Sequence, residues 1–444
     1  MNTFINRILP SQRCARRRRI ERITVEELII ATVLMGSLLV GLSNAETRAE
    51  LPVTNSSPVA RQFFEQGLAK LNRLDNAGAR DMFQKAIEAN PDFAMAHLFR
   101  GLTAGAGQAA PYIQKALELS EKVSEAEKWY IRAYHANANN QPAQAIEALT
   151  QVLRLQPNAK RPHQFLATLL ANQNKLDQAR SHLDKAIKLD SQFVSAYLSR
   201  GAVLLNQGQY ALALKDYQQA FSLVAEGPAR INVLTSLGNC YAAMGNLAMS
   251  AKHYEEAISL AKKQNQLNNV PALYNALGRI SLELGDLVAA HRAYHQGYEA
   301  AMATMAEPDK PVWQARYWHA RARILARVGE FASAMAYADK IKSLIEAGAS
   351  PQAHLKEIHH YLLGYIYVLE GKYESAIEHL RQANENDAFI QLLMAQAYDG
   401  KGDKAEAERW YQKVLAYHGG GVSTVLARPV AEKRMKTVEA AVRM

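Results

Sequence analysis

The chain has 444 residues, of which 49% are hydrophobic and 21% are charged, and its formal net charge is +10. A chain of this length and apolar content can bury a continuous core. Residues up to Ala45 contain seven arginines and three glutamates, so +4 of the charge lies there and +6 remains for the rest. This mild charge, without a basic helix carrying interleaved aromatic residues, argues against a nucleic-acid partner.

The N-terminal segment differs from the rest of the chain. Four consecutive arginines, Arg16–Arg19, precede an apolar run over residues 28–42, and a small-x-small sequence follows at residues 43–45. A helix over that run would be about 22 Å long, whereas the hydrocarbon core of a membrane is about 30 Å thick. A basic region, a short apolar run and such a site are typical of a secretory signal peptide. We therefore predict a signal peptide at residues 1–45 and a linker at residues 46–59.

This prediction makes the protein an exported one, located in the periplasm or at the cell envelope. The alternative is a retained anchor in the inner membrane, with membrane association through residues 28–42. A chain that is not exported at all is the third possibility.

A repeat dominates the remainder of the chain. The blocks Lys160–Phe193 and Val194–Gly227 align with each other at a spacing of 34 residues. The aligned small or apolar residues are Ala167 with Gly201, Leu170 with Leu204, Ala179 with Ala213, Leu183 with Tyr217, and Ala186 with Ala220. A fixed period of about 34 residues predicts an array of helix–turn–helix units. These units must stack, because a single hairpin cannot bury its apolar stripe alone.

The same pattern recurs along most of the chain. We place the repeat starts near Ala60, Ala94, Ala126, Lys160, Val194, Ile231, Pro271, Ala315, Glu357 and Ala388. The pattern resembles the tetratricopeptide repeat family; in the first repeat it is carried by Gly67, Ala79, Phe83, Ala86 and Pro91. The resemblance implies an all-α, right-handed superhelical solenoid of about ten repeats over residues 60–418. We expect a glycine linker and a capping helix at residues 419–444, because a solenoid end needs a cover.

Two parts of the array depart from the regular period. In the second repeat, Gly101–Gly107 and Pro111 replace the inner turn, so its second helix is expected to begin late, near Ala110. From Ile231 to Glu357 the starts lie 40 to 44 residues apart, which predicts longer helices or longer connections there.

No motif in the repeats supports an enzyme, a cofactor or a metal site. His418–Gly421 resembles an oxyanion loop, but the chain has no G-x-S-x-G elbow, so we interpret it as a helix stop and linker. His291, His295 and Glu299 share a helical spacing, but no H-E-x-x-H arrangement accompanies them, which favours a solvated outer face. Cys240 stands alone once the N-terminal segment is removed, so it cannot form an internal disulfide and is expected to pack in the core.

The resemblance also implies that the first helix of each repeat lines a concave surface that receives a peptide or a partner protein. By that resemblance the partner-binding positions are Asn239, Asn275, Arg279, Arg316 and Arg323, with the aromatic residues Tyr361 and Tyr365 in the following repeat. Amides can hydrogen-bond an extended peptide, guanidinium groups can hold a carboxylate through two hydrogen bonds, and aromatic rings can anchor a partner. The alternative is that the arginines are simply solvated and the tyrosines pack against neighbouring repeats.

We therefore predict a non-enzymatic scaffold or adaptor that binds a protein or a peptide and needs no cofactor. Two other functions stay open. One is a structural subunit that self-assembles through its convex face and its ends. The other is a helical-repeat module that binds glycans in the groove.

Overall fold

The computed structural model of the protein describes residues 49–442, apart from residues 56, 106, 225 and 418, with side chains described up to residue 437. The chain divides into a unit that ends at Ala49 and a unit from Glu50 to Met444. The first unit, and with it the signal peptide predicted at residues 1–45, lies outside the described residues except for Ala49. The helices described from Pro58 onward all belong to the second unit.

The second unit is built of helices, and its described residues contain no strand. Ten helical hairpins follow one another: α1 (Pro58–Asn72) with α2 (Asn76–Ala89), α3 (Ala94–Leu102) with α4 (Ala110–Leu119), α5 (Glu125–Ala138) with α6 (Pro142–Leu155), α7 (Lys160–Asn172) with α8 (Leu176–Leu189), α9 (Val194–Asn206) with α10 (Tyr210–Leu223), α11 (Pro228–Ala243) with α12 (Leu247–Lys263), α13 (Val270–Leu284) with α14 (Leu287–Thr304), α15 (Lys310–Arg327) with α16 (Phe331–Glu346), α17 (Gln352–Glu370) with α18 (Tyr373–Leu380), and α19 (Ala388–Lys401) with α20 (Lys404–Ala416). A last helix, α21, covers Val422–Val442. The prediction of an all-α solenoid of about ten repeats is confirmed.

Side-chain caps and left-handed residues set the ends of many of these helices. Ser124 and Glu127 form a reciprocal capping box at the start of α5. Asp387 caps α19 by accepting hydrogen bonds from the backbone N–H groups of Phe389 and Ile390. Gly285 ends α13 in the left-handed conformation, with φ of 87°, which a residue without Cβ adopts at no steric cost.

The two irregularities predicted from the sequence are both present. In the second hairpin, α4 begins at Ala110, after a connection that replaces the regular inner turn. In the later repeats the helices are longer: α12, α14, α15 and α17 have 17, 18, 18 and 19 residues, against 13 or 14 in the four helices α7 to α10. The longer period therefore comes mainly from longer helices, with a smaller contribution from the connections at residues 264–269, 305–309 and 347–351.

Within each hairpin the two helices approach closely at a small residue. Gly201 on α9 packs against the ring of Tyr217 on α10, so that a Cβ at position 201 would lie 2.6 Å from the tyrosine Cε1. The same arrangement recurs at Gly67 with Phe83, Gly238 with Tyr254, Gly278 with Tyr294, and Gly364 with Leu380. Cys240 is buried on α11, as expected, and burial raises the pKa of its thiol to about 12.

First helices of several successive repeats contact each other: α3 with α5, α7 with α9, α9 with α11, α15 with α17, and α17 with α19. We call the surface that the first helices present the inner surface. Both ends of the solenoid unit fold back toward it. Within the predicted linker, Glu50 binds Lys160 on α7 at 2.9 Å, and Thr54 donates a hydrogen bond to Glu127 on α5.

At the other end, α21 packs on α20, as expected of a cap, but it also lies against α11, α13 and α19. The C-terminal helix therefore covers part of the inner surface in addition to the last repeat. None of the helices described between residues 49 and 442 is both long enough and apolar enough to cross a membrane.

The close contact at Gly201 gives a direct test of this packing. We expect Gly201→Val to lower the free energy of unfolding by about 1–3 kcal/mol, because the added side chain overpacks a full core. The midpoint of thermal unfolding, followed by circular dichroism, measures the effect. Ala202→Val is the control, since Ala202 is the next residue of the same helix and is exposed. Equal stability of the two variants would contradict the close approach.

Candidate functional site

The inner surface contains a cavity of about 290 Å³ near the C-terminal end of the solenoid. Its lining residues come from α13, α14, α15, α17 and the start of α19, so five helices of four consecutive repeats build it. Five of the seven residues predicted to bind a partner line this cavity: Asn275, Arg279, Arg316, Arg323 and Tyr361.

Helical spacing explains why these residues meet. Asn275 and Arg279 lie four residues apart on α13 and therefore share a face. On α15, His319 and Arg323 follow Arg316 by three and seven residues, so these three side chains again share one face. Stacking of the repeats then brings these faces together, which the spacing within one helix could not show.

Positive charge dominates the cavity wall. Arg323 has a 3% exposed side chain, and its Nη2 lies 3.3 Å from Oε1 of Glu283. The same carboxylate binds Nη2 of Arg327 at 2.5 Å. Arg279 and Arg316 have no ion-pair partner among the described residues. Three guanidinium groups and two carboxylates, those of Glu357 and Asp387, line the cavity, so arginine is in excess there.

The pKa of His319 reflects the same electrostatic environment. It lies within the arginine cluster, and its ring centroid is 4.6 Å from that of Tyr361. Burial, followed by the charges of Arg323, Arg279 and Arg316, lowers the pKa of His319 well below its ordinary value. The imidazole is therefore neutral at pH 7 and does not add to the charge of the wall.

Four buried polar atoms of the wall lack a hydrogen-bond partner among the described residues. They are Nε of Arg279, Nε of Arg323, Nε2 of His319 and the hydroxyl oxygen of Tyr294. Buried polar groups in native proteins are nearly always paired. These four atoms therefore mark the wall as a place where polar groups of the chain are incompletely paired.

Aromatic rings and acidic groups complete the site. Arg279 donates from Nη2 to the hydroxyl of Tyr361 at 3.0 Å, and its guanidinium lies 4.3 Å from the ring centroid of Phe389. At the rim, Glu357 binds Nδ1 of His354 at 3.2 Å, and Asp387 accepts the capping hydrogen bonds of α19. The contacts with Tyr361 and Phe389 hold the guanidinium of Arg279 in place.

The other two predicted residues lie away from the cavity. Tyr365 is buried; its hydroxyl accepts a hydrogen bond from Nε of Arg327 at 2.7 Å, and Arg323 lies over its ring. Asn239 is also buried, between the hydroxyl of Tyr254 and the carbonyl of Gly420, to which it donates at 2.8 Å. Both side chains hold other parts of this chain in the structure.

Sequence reasoning did not assign several residues of the wall, among them Tyr294, Glu357 and Asp387. Tyr294 belongs to a second helix, where the repeat pattern predicts packing, and its ring does pack against Gly278. Glu357 and Asp387 stand at or near the starts of their repeats, and no local pattern marked them. Among the described residues no group of three or more His, Cys, Asp and Glu side chains could hold a metal ion, and His295 with Glu299 is an exposed pair.

Comparison with known proteins gives matches along much of the chain. Models described as tetratricopeptide repeats match residues 64–106, 136–199, 192–263, 360–389 and 390–417. The photosystem I assembly protein Ycf3 of Synechococcus elongatus is 32% identical over 105 residues, which are 23% of this chain and 61% of that protein. The mitochondrial import receptor subunit TOM70 of Rattus norvegicus is 22% identical over 151 residues, which are 33% of this chain and 24% of TOM70.

Each of these relatives is matched over less than two thirds of its length. Among solved structures, a tetratricopeptide repeat protein from Parabacteroides merdae has 18% identity and a TM-score of 0.46. The match covers 62% of this chain and 98% of that one. The structure of pilF from Pseudomonas aeruginosa has 18% identity and a TM-score of 0.39, with 51% and 93% covered.

The pKa of His319 predicts how stability depends on pH. In the unfolded chain this histidine titrates near pH 6.5, whereas in the folded protein it stays neutral to lower pH. Below about pH 6.5 the unfolded state therefore binds a proton that the folded state does not, and stability falls as the pH falls, by up to about 1.4 kcal/mol per pH unit. We expect His319→Gln to lose less stability than the wild type between pH 7.5 and 5.5, measured by urea unfolding. As the control, the free energies of unfolding of the two proteins should change in parallel with pH above pH 7. A parallel decrease of the two free energies below pH 6.5 would contradict the prediction.

Proposed function

Because the chain belongs to the tetratricopeptide repeat family, we propose that it is a non-enzymatic adaptor that binds a partner protein, or a peptide segment of one, on the inner surface of its later repeats. Proteins of this family generally mediate protein–protein interactions. The observation that carries the proposal for this chain is the cluster of the buried Arg323 and the half-buried Arg279 and Arg316 around one cavity.

The electrostatics of the cluster specify the kind of partner. Burying a charged group without a counter-charge is costly, and the wall holds three guanidinium groups against the carboxylates of Glu357 and Asp387. An acidic group that enters the cavity would pair with Arg316 and Arg279 through charge-assisted hydrogen bonds. A volume of about 290 Å³ is small for a whole ligand and suits one acidic side chain or chain end. The rest of the partner would then lie outside the cavity.

The relatives support a role in assembly or in holding another protein. One is described as an assembly protein and the other as an import receptor subunit. We propose a comparable adaptor role for this chain, with a partner defined by its acidic group. Self-assembly and glycan binding stay predictions.

Peptide binding to the full chain tests the proposal. Acidic peptides selected on an array are remade in pairs, with Asp or Glu changed to Asn or Gln, and with a free or an amidated C-terminus. We expect at least one acidic peptide to bind, and Arg316→Gln to weaken it by about 10- to 100-fold, because a hydrogen bond to a charged group is worth about 1.5–3 kcal/mol. Fluorescence anisotropy measures the dissociation constants.

Arg321→Gln is the matched control. Arg321 lies on the same helix as Arg316 but outside the cavity, against Tyr337. The change of charge is the same, so the loss of affinity in this variant should stay below about threefold. Equal losses in the two variants, or equal affinity for acidic and amide peptides, would reject the cavity as the binding site.

We further propose that the protein is exported to the periplasm or cell envelope, with membrane anchoring as the alternative. The support is the basic run, the short apolar run and the small-x-small site before Glu46. N-terminal sequencing of the protein from its native host is expected to find a chain that begins at Glu46. Recovery of Met1 in the membrane fraction would favour the anchor, and a soluble cytosolic chain that retains Met1 would contradict export.

A further inference from the structure

The C-terminal helix α21 occupies the inner surface directly beside the arginine cavity. Four side-chain hydrogen bonds hold its segment to four different helices of the solenoid. One joins Arg434 of α21 to Asp399 on α19 at 2.8 Å. Asn239 on α11 donates to the carbonyl of Gly420, Arg279 on α13 donates from Nη1 to Oγ of Ser423 at 2.9 Å, and Tyr210 on α10 donates to Glu432 at 2.9 Å. The apolar side of α21 faces the solenoid as well. Its buried residues are Val425, Leu426, Ala427 and Ala431.

We propose that α21 is an internal ligand of the inner surface, which leaves its seat when a partner with a similar amphipathic helix binds there. The inference rests on the proposed function, in that the partner's acidic group enters the neighbouring cavity. It adds that the partner presents an amphipathic helix, and that α21 regulates access to the site. An intramolecular helix and an external one compete for the same contacts.

The packing beneath α21 is incomplete. A mostly apolar cavity of about 380 Å³ lies between Leu426, Pro429 and Val430 of this helix and the wall that includes Leu392 and Leu393. Side chains that face a void lose the dispersion contacts that a filled core provides. The helix is therefore held less tightly than its buried residues alone suggest, and a partner with larger side chains could fill the space.

The covalent connection also allows α21 to move away. A Cβ at Gly420 or Gly421 would meet no atom within 4 Å, so these residues of the linker are not fixed by close packing. Within α21, Pro429 has no N–H group, so one helical hydrogen bond is missing. The linker can bend, and the helix that it carries is weakened in its middle.

The N-terminal segment of the solenoid unit offers a contrast. Glu50 forms ion pairs at 2.9 Å with both Lys160 and Arg161, and Lys160 is completely buried and also bound to Asp190 at 2.6 Å. Removing Glu50 would leave buried charge unpaired, which is strongly unfavourable. The ion pair between Arg434 of α21 and Asp399 on α19, at 2.7 Å, is partly exposed, with 34% and 19% of the two side chains accessible. Breaking it therefore costs less than breaking a fully buried pair, so this end can dissociate at lower cost.

Arg279 connects the seat of α21 with the cavity. Its Nη1 holds Ser423, its Nη2 holds Tyr361, and its side chain lines the cavity. An acidic group that draws Arg279 toward the cavity removes a hydrogen bond from α21. Binding of the partner's acidic group and release of α21 therefore favour each other, and the coupling is reciprocal.

Amide hydrogen exchange on the wild-type full chain tests whether α21 leaves its seat while the solenoid stays folded. We expect amides of residues 426–437 to exchange at least about 100-fold faster than those of α19, on which α21 packs. Exchange at the same rate in both helices would mean that α21 opens only when the solenoid unfolds. That result would overturn the inference.

A peptide supplied in trans tests whether the seat accepts an external helix. The probe is a fluorescent peptide of residues 419–442, and the proteins are the full chain and its variant Leu426→Asp, since Leu426 is 7% exposed. The tethered helix competes at an effective concentration on the order of millimolar, so the wild type should bind the peptide weakly. The variant cannot bury its own helix, and we expect it to bind at least tenfold more tightly. Thr437→Asp introduces the same charge at an exposed position of α21 and should bind like the wild type.

The outcomes separate this inference from the proposed function. If Leu426→Asp is folded by circular dichroism and gains no affinity for the peptide, the seat is not a receptor for an external helix and the inference is wrong. If it gains affinity while acidic peptides bind to no variant, the inference stands and the proposed role of the arginine cavity fails. If the variant does not fold, hydrogen exchange on the wild type decides.

Discussion

A small residue on the first helix of a repeat, packed directly against a large residue on the second, is the contact on which the rest of the solenoid depends. It brings the helices of a hairpin so close that a Cβ at Gly278 would lie 2.8 Å from the ring of Tyr294. Where the large residue is a tyrosine, the same contact also places its hydroxyl group at the inner surface. The hydroxyl of Tyr294 ends in the cavity wall, and that of Tyr254, packed against Gly238, reaches Asn239 at 2.6 Å. Core packing and the chemistry of the inner surface are therefore parts of one arrangement.

Buried positive charge is balanced differently in the early and in the later repeats of the inner surface. In the early repeats Lys160 lies between Asp190 and Glu50, so its charge is balanced by the chain itself. In the later repeats Glu283 is shared by Arg323 and Arg327, while Arg279 is held by hydroxyl groups. The repeats of a solenoid share one backbone fold, but their charged residues differ from repeat to repeat. The acidic group that we propose for the partner would pair there with Arg279 and Arg316, which have no ion-pair partner among the described residues.

The sequence predicted the local structure well because a repeat is a local pattern. The period of 34 residues, the glycines and alanines at close contacts and the turn residues lie within one hairpin, so the late start of α4 at Ala110 and the longer later helices could be inferred. Five of the seven predicted site residues line one cavity for the same reason, since position on a first helix determines the surface that a side chain reaches. Contacts between distant segments are not periodic. The pairing of Asn239 with Gly420, 181 residues away, and of Glu50 with Arg161 left no signal in the pattern.

The position of α21 has a consequence for the shape of the later repeats. In a solenoid each repeat contacts only its neighbours, so its curvature is set by small adjustments at each interface. Helix α21 contacts both α11 and α19, which belong to repeats four places apart, and so adds a long-range contact that such an array otherwise lacks. While it is seated, α21 fixes the distance between these repeats as well as covering the surface between them.

A partner that takes the place of α21 must therefore span the same distance, and its affinity is reduced by the free energy of the contacts that α21 gives up. Fit along five repeats and an acidic group at Arg279 and Arg316 are two separate requirements, and together they select a partner more strictly than either does alone.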